Sequence, residues 1–491
     1  MEQKTVRKIG FISALSICFT SIVGIGIFLK NASVGANVGG NGYSWLATWI
    51  ISGLLAILLA FHFGKISRIE SKSGLTGLNS WVHEIVDKKN TWFKKITTVN
   101  YGYFYNPILA ICLSFFTAEF FIQIFESAGV NVKLDLWVYV LITICFLSFF
   151  ILNNYFSIRF SGYISIATTI IKTIPLLMVI VIGVSFWNQH NNGGSNGFDQ
   201  SISYDKALRG IMLSIPSVLF AFDSFIGIGS WSKNIKGGPK AVSKVIVAAL
   251  VGVTIIYCLI SISSIFHYQT NNGGTSVLNV LLDSLPKNVQ KGFTIFISVI
   301  IFISAFGTSN SACGTTLNEY KNIILHENTI MSSGIKVKFG SKKAALVLCF
   351  ILLSFWSLIL FIPAIIMNND GIIDGFSNLI VVGIFLVYSY LIFLFWKNIY
   401  RKNLMTDLNK SWFFTFLVFM TLIGIGLVSF LNLYFVIENT ITNWKGNSNW
   451  GLFLDSGVKM NNLAVLIFYA CFFGAFFAFP FINYKFVKKA I

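Results

Sequence analysis

Apolar residues run along this chain in long, nearly unbroken stretches. Neither the two-residue alternation of a half-buried strand nor the one-sided stripe of a soluble amphipathic helix describes them. Twelve stretches stand out, at roughly 11–30, 44–64, 101–125, 136–153, 162–187, 207–231, 242–266, 292–316, 344–366, 376–396, 412–437 and 462–484. A helix of about 20 residues crosses the hydrocarbon core of a bilayer, so the pattern predicts about twelve membrane-spanning helices. The first stretch is too long for the apolar core of a cleavable signal peptide, and eleven more follow it.

The positions that interrupt this pattern carry the information. The first stretch contains Thr20-Ser21-Ile22-Val23-Gly24-Ile25-Gly26-Ile27-Phe28. Glycine inside a helix costs about 1 kcal/mol relative to alanine, and a loosened helix in lipid frees N–H and C=O groups that need partners. Either the helix is broken, with free N–H groups aimed at an anionic substrate group, or the glycines only admit a neighbouring helix. The sixth stretch repeats the theme: Pro216, then Phe220-Ala221-Phe222-Asp223-Ser224-Phe225-Ile226-Gly227-Ile228-Gly229-Ser230. Paired interrupted spans at corresponding positions point to the substrate site of transporters built from inverted repeats. The pairing favours a broken helix and predicts spans one to five and six to ten as two repeats.

Composition agrees with the membrane reading. The chain has 491 residues, 55% hydrophobic and 11% charged, far from a soluble domain. The net charge of +18 could suggest nucleic acid, but its placement does not. With the N-terminus inside and residues at the stretch margins assigned to the adjoining segments, 27 of the 36 Lys and Arg fall on the inside, 8 on the outside and one, Lys172, deep within a span. That is the positive-inside bias, and it predicts both termini on the cytoplasmic side, with Lys4, Arg7 and Lys8 anchoring the first span. The seven cysteines (18, 112, 145, 258, 313, 349, 471) lie in or at the ends of apolar runs without a C-x-x-C pair, and read as buried thiols rather than a metal site or disulfide framework. No metal or cofactor is expected. Neither H-E-x-x-H, G-x-S-x-G nor a P-loop occurs, so neither an enzyme nor an ATP-driven pump is expected.

Further candidates lie elsewhere. Lys172 sits about ten residues into span five, near mid-bilayer; such a lysine costs about 2.5–3.5 kcal/mol on insertion scales and is a functional candidate by default, while Pro175 predicts a kink beyond it. Glu119 lies near the outer end of span three and could face a vestibule or reach the headgroup layer. His62 reads as an interfacial histidine. Gly77 to Val86 reads as a short amphipathic helix near the interface, and the loop with Gly35, Gly39, Gly40 and Gly42 as flexible. The inner half of span eight is polar, with Ser304, Thr308, Ser309, Asn310 and Ser311, and faces the core. Spans nine and ten carry little polarity, and eleven and twelve are phenylalanine-rich and peripheral. Asp223 could pair with a cationic substrate or with Lys172, shuttle a proton, or simply cap freed N–H groups.

Thr20 to Phe28 (TSIVGIGIF) and Phe220 to Ile226 (FAFDSFI) resemble the span-one G-S-x-I-G-x-G-I-F and span-six F-A-F-D-G-F-E motifs of amino acid permeases of the amino acid–polyamine–organocation (APC) superfamily. Asn234 to Ile246, the loop from Ile66 to Val86, and Lys172 before a proline fit more weakly, and the span count extends the likeness over nearly the whole chain. The resemblance implies an all-α integral membrane protein with a LeuT-like five-plus-five inverted repeat: a tail at 1–10, repeats at 11–187 and 207–396, two additional helices at 412–484 and a tail at 485–491. It implies a substrate α-carboxylate on the break at Ser21, Gly24, Ile25 and Gly26, and an α-ammonium at the carbonyls near Phe220, Ala221, Phe222 and Asp223. It implies ion coupling at Lys172, Thr308 and Ser309, with the lysine standing where sodium symporters bind sodium, which suits proton coupling or exchange. The expected activity is secondary active transport of an amino acid across the plasma membrane by alternating access. The alternatives are a carrier for a polyamine or other small amine, and a passive channel. Ile25 stands where the family has a small residue, Ser224 replaces a glycine, Ile226 an acid and Asn234 a glutamate.

Overall fold

The computed structural model describes residues 10–24, 26–69, 77–86, 91–130, 134–185, 196–268, 287–326, 329–404, 411–448, 450–451 and 460–489. The anchoring cluster Lys4, Arg7 and Lys8 lies outside them. The described residues form fifteen α-helices, as a chain in lipid must when every backbone group is to be satisfied internally. The first apolar run is split into α1 (Phe11–Ile22) and α2 (Gly26–Asn37). Then come α3 (Gly42–Ile66), the short α4 (Gly77–Ile85) and α5 (Thr91–Val99), and a π-helical turn, Asn100–Tyr105, leading into α6 (Asn106–Ser127). α7 (Leu136–Phe156), α8 (Ile158–Ser185), α9 (Tyr204–Phe222) and α10 (Gly238–Phe266) follow. The remainder is α11 (Lys287–His326), α12 (Ser332–Met367), α13 (Gly371–Phe395), α14 (Trp412–Thr442) and α15 (Asn462–Lys489).

Ten of these stretches are long and apolar enough to cross a membrane. The first expected span is absent from that set because its break leaves two helices of 12 residues each. The fifth contributes a shorter apolar helix, Ile170–Ser185. Burial separates centre from periphery. In the 18-residue apolar window of the spans at Trp92–Ser127 and Gly371–Tyr400, 78% of the residues are buried, against 28% in those of α14 and α15; Ile423, Phe430, Phe477 and Phe481 point outward. Helices facing lipid have no polar solvent to avoid, so these two stay apolar on every side.

Several expectations change. The glycine-bearing stretch after the first run is not a flexible loop: α2 occupies it to Asn37, the side chain of Trp45 packs on Gly35, and Gly40 (φ 74°) turns the chain tightly beneath Tyr268. α4 is helical as expected and packs one face into the protein; Leu78, Trp81, Val82 and Ile85 are buried, and Asn79 donates to Glu319 of α11. His62 is fully buried, with Nε2 3.0 Å from the Thr421 hydroxyl of α14. Glu119 is 6% exposed and packed inside the bundle. Cys145 and Cys471 are exposed on the apolar exterior, while Cys18, Cys112, Cys313 and Cys349 are buried thiols. α13 begins before the apolar run does, which brings Asp374 into its first turn.

Candidate functional site

The first break begins where α1 stops. The Val23 N–H still bonds to Phe19 O (2.8 Å), but Val23 leaves helical geometry (ψ 88°) and α2 starts afresh at Gly26. Ile25 lies outside the described residues. The two glycines are required by close approach. A Cβ on Gly26 would sit 2.7 Å from the Ala221 Cα, and one on Gly24 would sit 3.0 Å from the Thr308 methyl. Both readings of this motif therefore hold together: the helix is interrupted, and the glycines let α9 and α11 press against the interruption. The first turn of α2 has N–H groups without intrahelical acceptors. Ser21 turns away from the break, its hydroxyl donating to Ile17 O (2.8 Å).

The second break lies directly against the first. α9 ends at Phe222, Asp223 is extended (ψ −178°), Ser224 is left-handed (φ 72°), and a 3-10 turn continues from Phe225 to Asn234. The Asp223 carboxylate, 3% exposed, accepts the Tyr105 hydroxyl at 2.5 Å through Oδ2, and Oδ1 has no hydrogen-bond partner. Tyr257 of α10 joins the breaks: its hydroxyl lies 3.2 Å from Ala221 O and 3.4 Å from Ile22 O, and can donate to either. Phe222 faces away from the break towards Trp49 and Tyr257, at ring distances of 6.3 and 5.2 Å. Phe220 faces the other way, edge-on to Phe116 at 6.4 Å.

A buried ion pair, absent from the sequence expectations, stands beside Phe220. Lys30, one turn into α2, is 0% exposed. Its ammonium is paired with Asp374 and hydrogen-bonded to Ser377 Oγ (3.2 Å) and Asn378 Oδ1 (2.9 Å) of α13, and lies 4.9 Å from the centre of the Phe220 ring. Each partner sits at the edge of an apolar run, where a charge reads as interfacial. Only the rule that an intramembrane charge needs a partner could have suggested looking for one.

The expected coupling residues part company. Lys172 is 2% exposed on α8. Thr168, one turn before it, presses on Gly307 of α11, and the next residue, Thr308, meets Gly24 of the break. Ser309, rotated about 100° around the same helix, faces α6 instead, donating to Leu113 O (2.7 Å) and lying 2.7 Å from the Thr117 hydroxyl. The structure thus groups Gly24, Gly26, Thr308, Ala221 and Asp223, and turns Ser21, Phe222 and Ser309 elsewhere.

Side chains close the breaks on both sides. Beneath Asp223, Tyr101 stacks on Tyr105 (5.1 Å, 13°), and Phe63, Phe225 and Tyr388 pack together. On the opposite side, beyond the Lys30–Asp374 pair, a cavity of about 480 Å³ opens at the end of the bundle where α2 ends and α9 and α13 begin. Asp374 and Asn378 form part of its wall, together with Asn37, Arg209, Asn439 and Trp450. A helix N-terminus favours an anion and a helix C-terminus with a carboxylate favours a cation, so the paired breaks complement a small zwitterion.

Several known proteins with similar sequences carry transporter names. The chain is 22% identical over 315 residues to the serine/threonine exchanger SteT of Bacillus subtilis, covering 62% of this chain and 65% of that one. It is 22% identical to the human cystine/glutamate transporter (62% of this chain, 58% of that one) and 24% identical to the mouse b(0,+)-type amino acid transporter 1 (63% and 61%). The matched regions thus span about three fifths of these relatives' lengths. The family model described as amino acid permease covers far more, residues 9–487, both breaks and all ten long apolar helices included. A multi-pass membrane protein by its helices, this chain belongs to the amino acid permease family.

Proposed function

We propose that the protein is a secondary transporter that moves an amino acid across the plasma membrane by alternating access. The observation that carries this reading is the apposition of the two breaks, with Gly26 against Ala221 and the Tyr257 hydroxyl within reach of a carbonyl from each. In this reading the substrate α-carboxylate takes the N–H groups at Gly24 to Gly26. The α-ammonium takes the carbonyls and carboxylate at Phe220 to Asp223. The segments 11–187 and 207–396 are two inverted five-helix repeats of a LeuT-like fold, with 412–484 added at the periphery. Both termini face the cytoplasm, as the lysine and arginine bias supports.

A relative named as a serine/threonine exchanger favours exchange as the driving process. Lys172, one turn along α8 from the Thr168–Gly307 crossing, supports a mode in which a fixed cation replaces a sodium ion; of the two hydroxyls proposed with it, Thr308 lies at the break against Gly24 and Ser309 turns to α6. Proton coupling is the other mode that such a cation permits.

The test is counterflow into liposomes containing the purified protein. Preloading with unlabelled substrate should accelerate saturable uptake of a labelled amino acid, and empty vesicles should take up little under exchange. An absence of saturable uptake for all twenty amino acids, preloaded or not, would overturn the reading.

A further inference from the structure

The ion pair beside Phe220 is placed to do more than hold two helices together. Helical side chains lean towards the N-terminus of their helix, so Lys30 reaches back from α2 towards the break at Gly26. Its ammonium ends 4.9 Å from the ring centre of Phe220 and 6.0 Å from that of Phe116. Phe220 immediately precedes Ala221, the residue against which Gly26 packs. The positive group of the pair is therefore on the side of the breaks. The negative group is on the other side, because Asp374 lines the 480 Å³ cavity. Of the other acids, Asp370 is the N-cap residue of α13, Glu119 lies three residues beyond Phe116 along α6 and Glu319 bonds to Asn79, so Asp223 is the buried carboxylate at the breaks themselves. Of the ion pair, a ligand held at the breaks meets the lysine first.

We infer that Lys30 selects the substrate side chain, and that the chain prefers acidic amino acids over cationic ones. This rests on the permease reading above. The site then offers two positive elements, the N-terminus of α2 and Lys30, and one negative element, the end of α9 with Asp223. An acidic amino acid brings two carboxylates and one ammonium, the matching set. On binding, Lys30 exchanges the carboxylate of Asp374 for that of the substrate. Asp374 is left facing a cavity lined by Asn378, Asn439 and Arg209, where it can be hydrated or hydrogen-bonded instead of stranded. A cationic side chain would bring its charge against an ammonium in a region of low dielectric, where like charges are strongly disfavoured.

The test is competition of unlabelled L-glutamate, L-alanine and L-lysine against labelled substrate in proteoliposomes. It compares the wild type, Lys30→Arg, and the double variant Lys30→Met with Asp374→Asn, which removes both charges and strands neither. The wild type should be inhibited at least tenfold better by glutamate than by lysine, and Lys30→Arg should keep that order. The double variant should lose most of the tenfold difference while still transporting alanine. A wild type that prefers lysine to glutamate overturns the inference without any variant and leaves the permease reading standing. So does a double variant that keeps the wild-type ratio while only its rate changes. A wild type that transports none of the twenty amino acids removes the permease reading, and this inference with it.

Discussion

The two breaks do the same work by opposite means. At the first, the backbone is opened by removing side chains: Gly24 and Gly26 leave room for Thr308 and Ala221, and no side chain of the pair takes part. At the second, the backbone is opened by adding chemistry: a buried carboxylate held by Tyr105, and a serine forced into the left-handed region. The first break is thus defined by what its neighbours occupy, and the second by what its own residues bond. One consequence is that substitutions at the first should act through packing, and those at the second through charge and backbone strain. Tyr257 belongs to both, since its hydroxyl reaches a carbonyl of each.

The largest effect belongs to the first break. In Gly26→Ala the new methyl carbon falls 2.7 Å from the Cα and Cβ of Ala221, with a backbone atom that cannot rotate away. Overpacking of this kind costs about 1–3 kcal/mol, and here it also separates the breaks. Substrate-induced thermal stabilisation should vanish and uptake should fall by about a hundredfold. Gly24→Ala faces the side chain of Thr308, methyl at 3.0 Å and hydroxyl at 3.3 Å, with no backbone atom in the way, and should be much milder. Equal losses in the two variants would show that the break needs glycine for its backbone and not for its neighbours.

Next comes Asp223→Asn, which removes charge with little change of shape. Hydrogen bonds to charged groups contribute about 1.5–3 kcal/mol, and each 1.4 kcal/mol is tenfold in affinity. If the carboxylate serves the α-ammonium common to all amino acids, affinity should drop at least about tenfold for neutral, acidic and cationic substrates alike, read by competition in proteoliposomes. A loss confined to cationic substrates would instead place Asp223 against side chains, and would sharpen the contrast with Lys30.

How much of this could be read without coordinates follows the same division. Gly24 and Gly26 were legible because glycines in an apolar run violate its pattern, and Lys172 because a lysine there does so more strongly. The break at Asp223 was legible for the same reason. What was not legible is what depends on two distant positions at once. Lys30 and Asp374 are 344 residues apart, and each sits at the margin of an apolar run, where hydropathy assigns a charge to the interface. His62 was misplaced for the same reason, as its partner Thr421 is contributed by α14. The difference between Thr308 and Ser309 is a rotation of one residue about a helix axis, and only a known crossing, Gly24 on one side and Leu113 on the other, resolves it.

Tyr257→Phe tests whether the breaks are coupled. The variant keeps the ring packed on Trp49 and Phe222 but removes the donor near Ile22 O and Ala221 O. Leaving a buried acceptor unsatisfied costs about 1–3 kcal/mol, and one hydroxyl serves one carbonyl at a time, so the lower end is expected. Amide exchange should quicken at residues 21–24 and 221–224 together. Quickening at one site alone would mean that the breaks are independent.

The smallest effect should be a gain. Ser224 adopts φ 72°, a conformation that costs an L-residue with a Cβ about 1–2 kcal/mol and that glycine adopts freely. Ser224→Gly relieves that strain but adds freedom to the unfolded chain, worth about 0.5–1 kcal/mol in the opposite direction. The net is a stabilisation of about 0.5–1 kcal/mol, visible as a small rise in the unfolding midpoint of the detergent-solubilised protein. Transport gives the more discriminating reading. If strain at Ser224 holds the Asp223 carboxylate against Tyr105, then the glycine variant should be more stable but bind substrate less tightly. If Tyr105 alone is sufficient to orient the carboxylate, stability should rise with affinity unchanged, and the second break would prove as indifferent to its own backbone as the first is dependent on its neighbours.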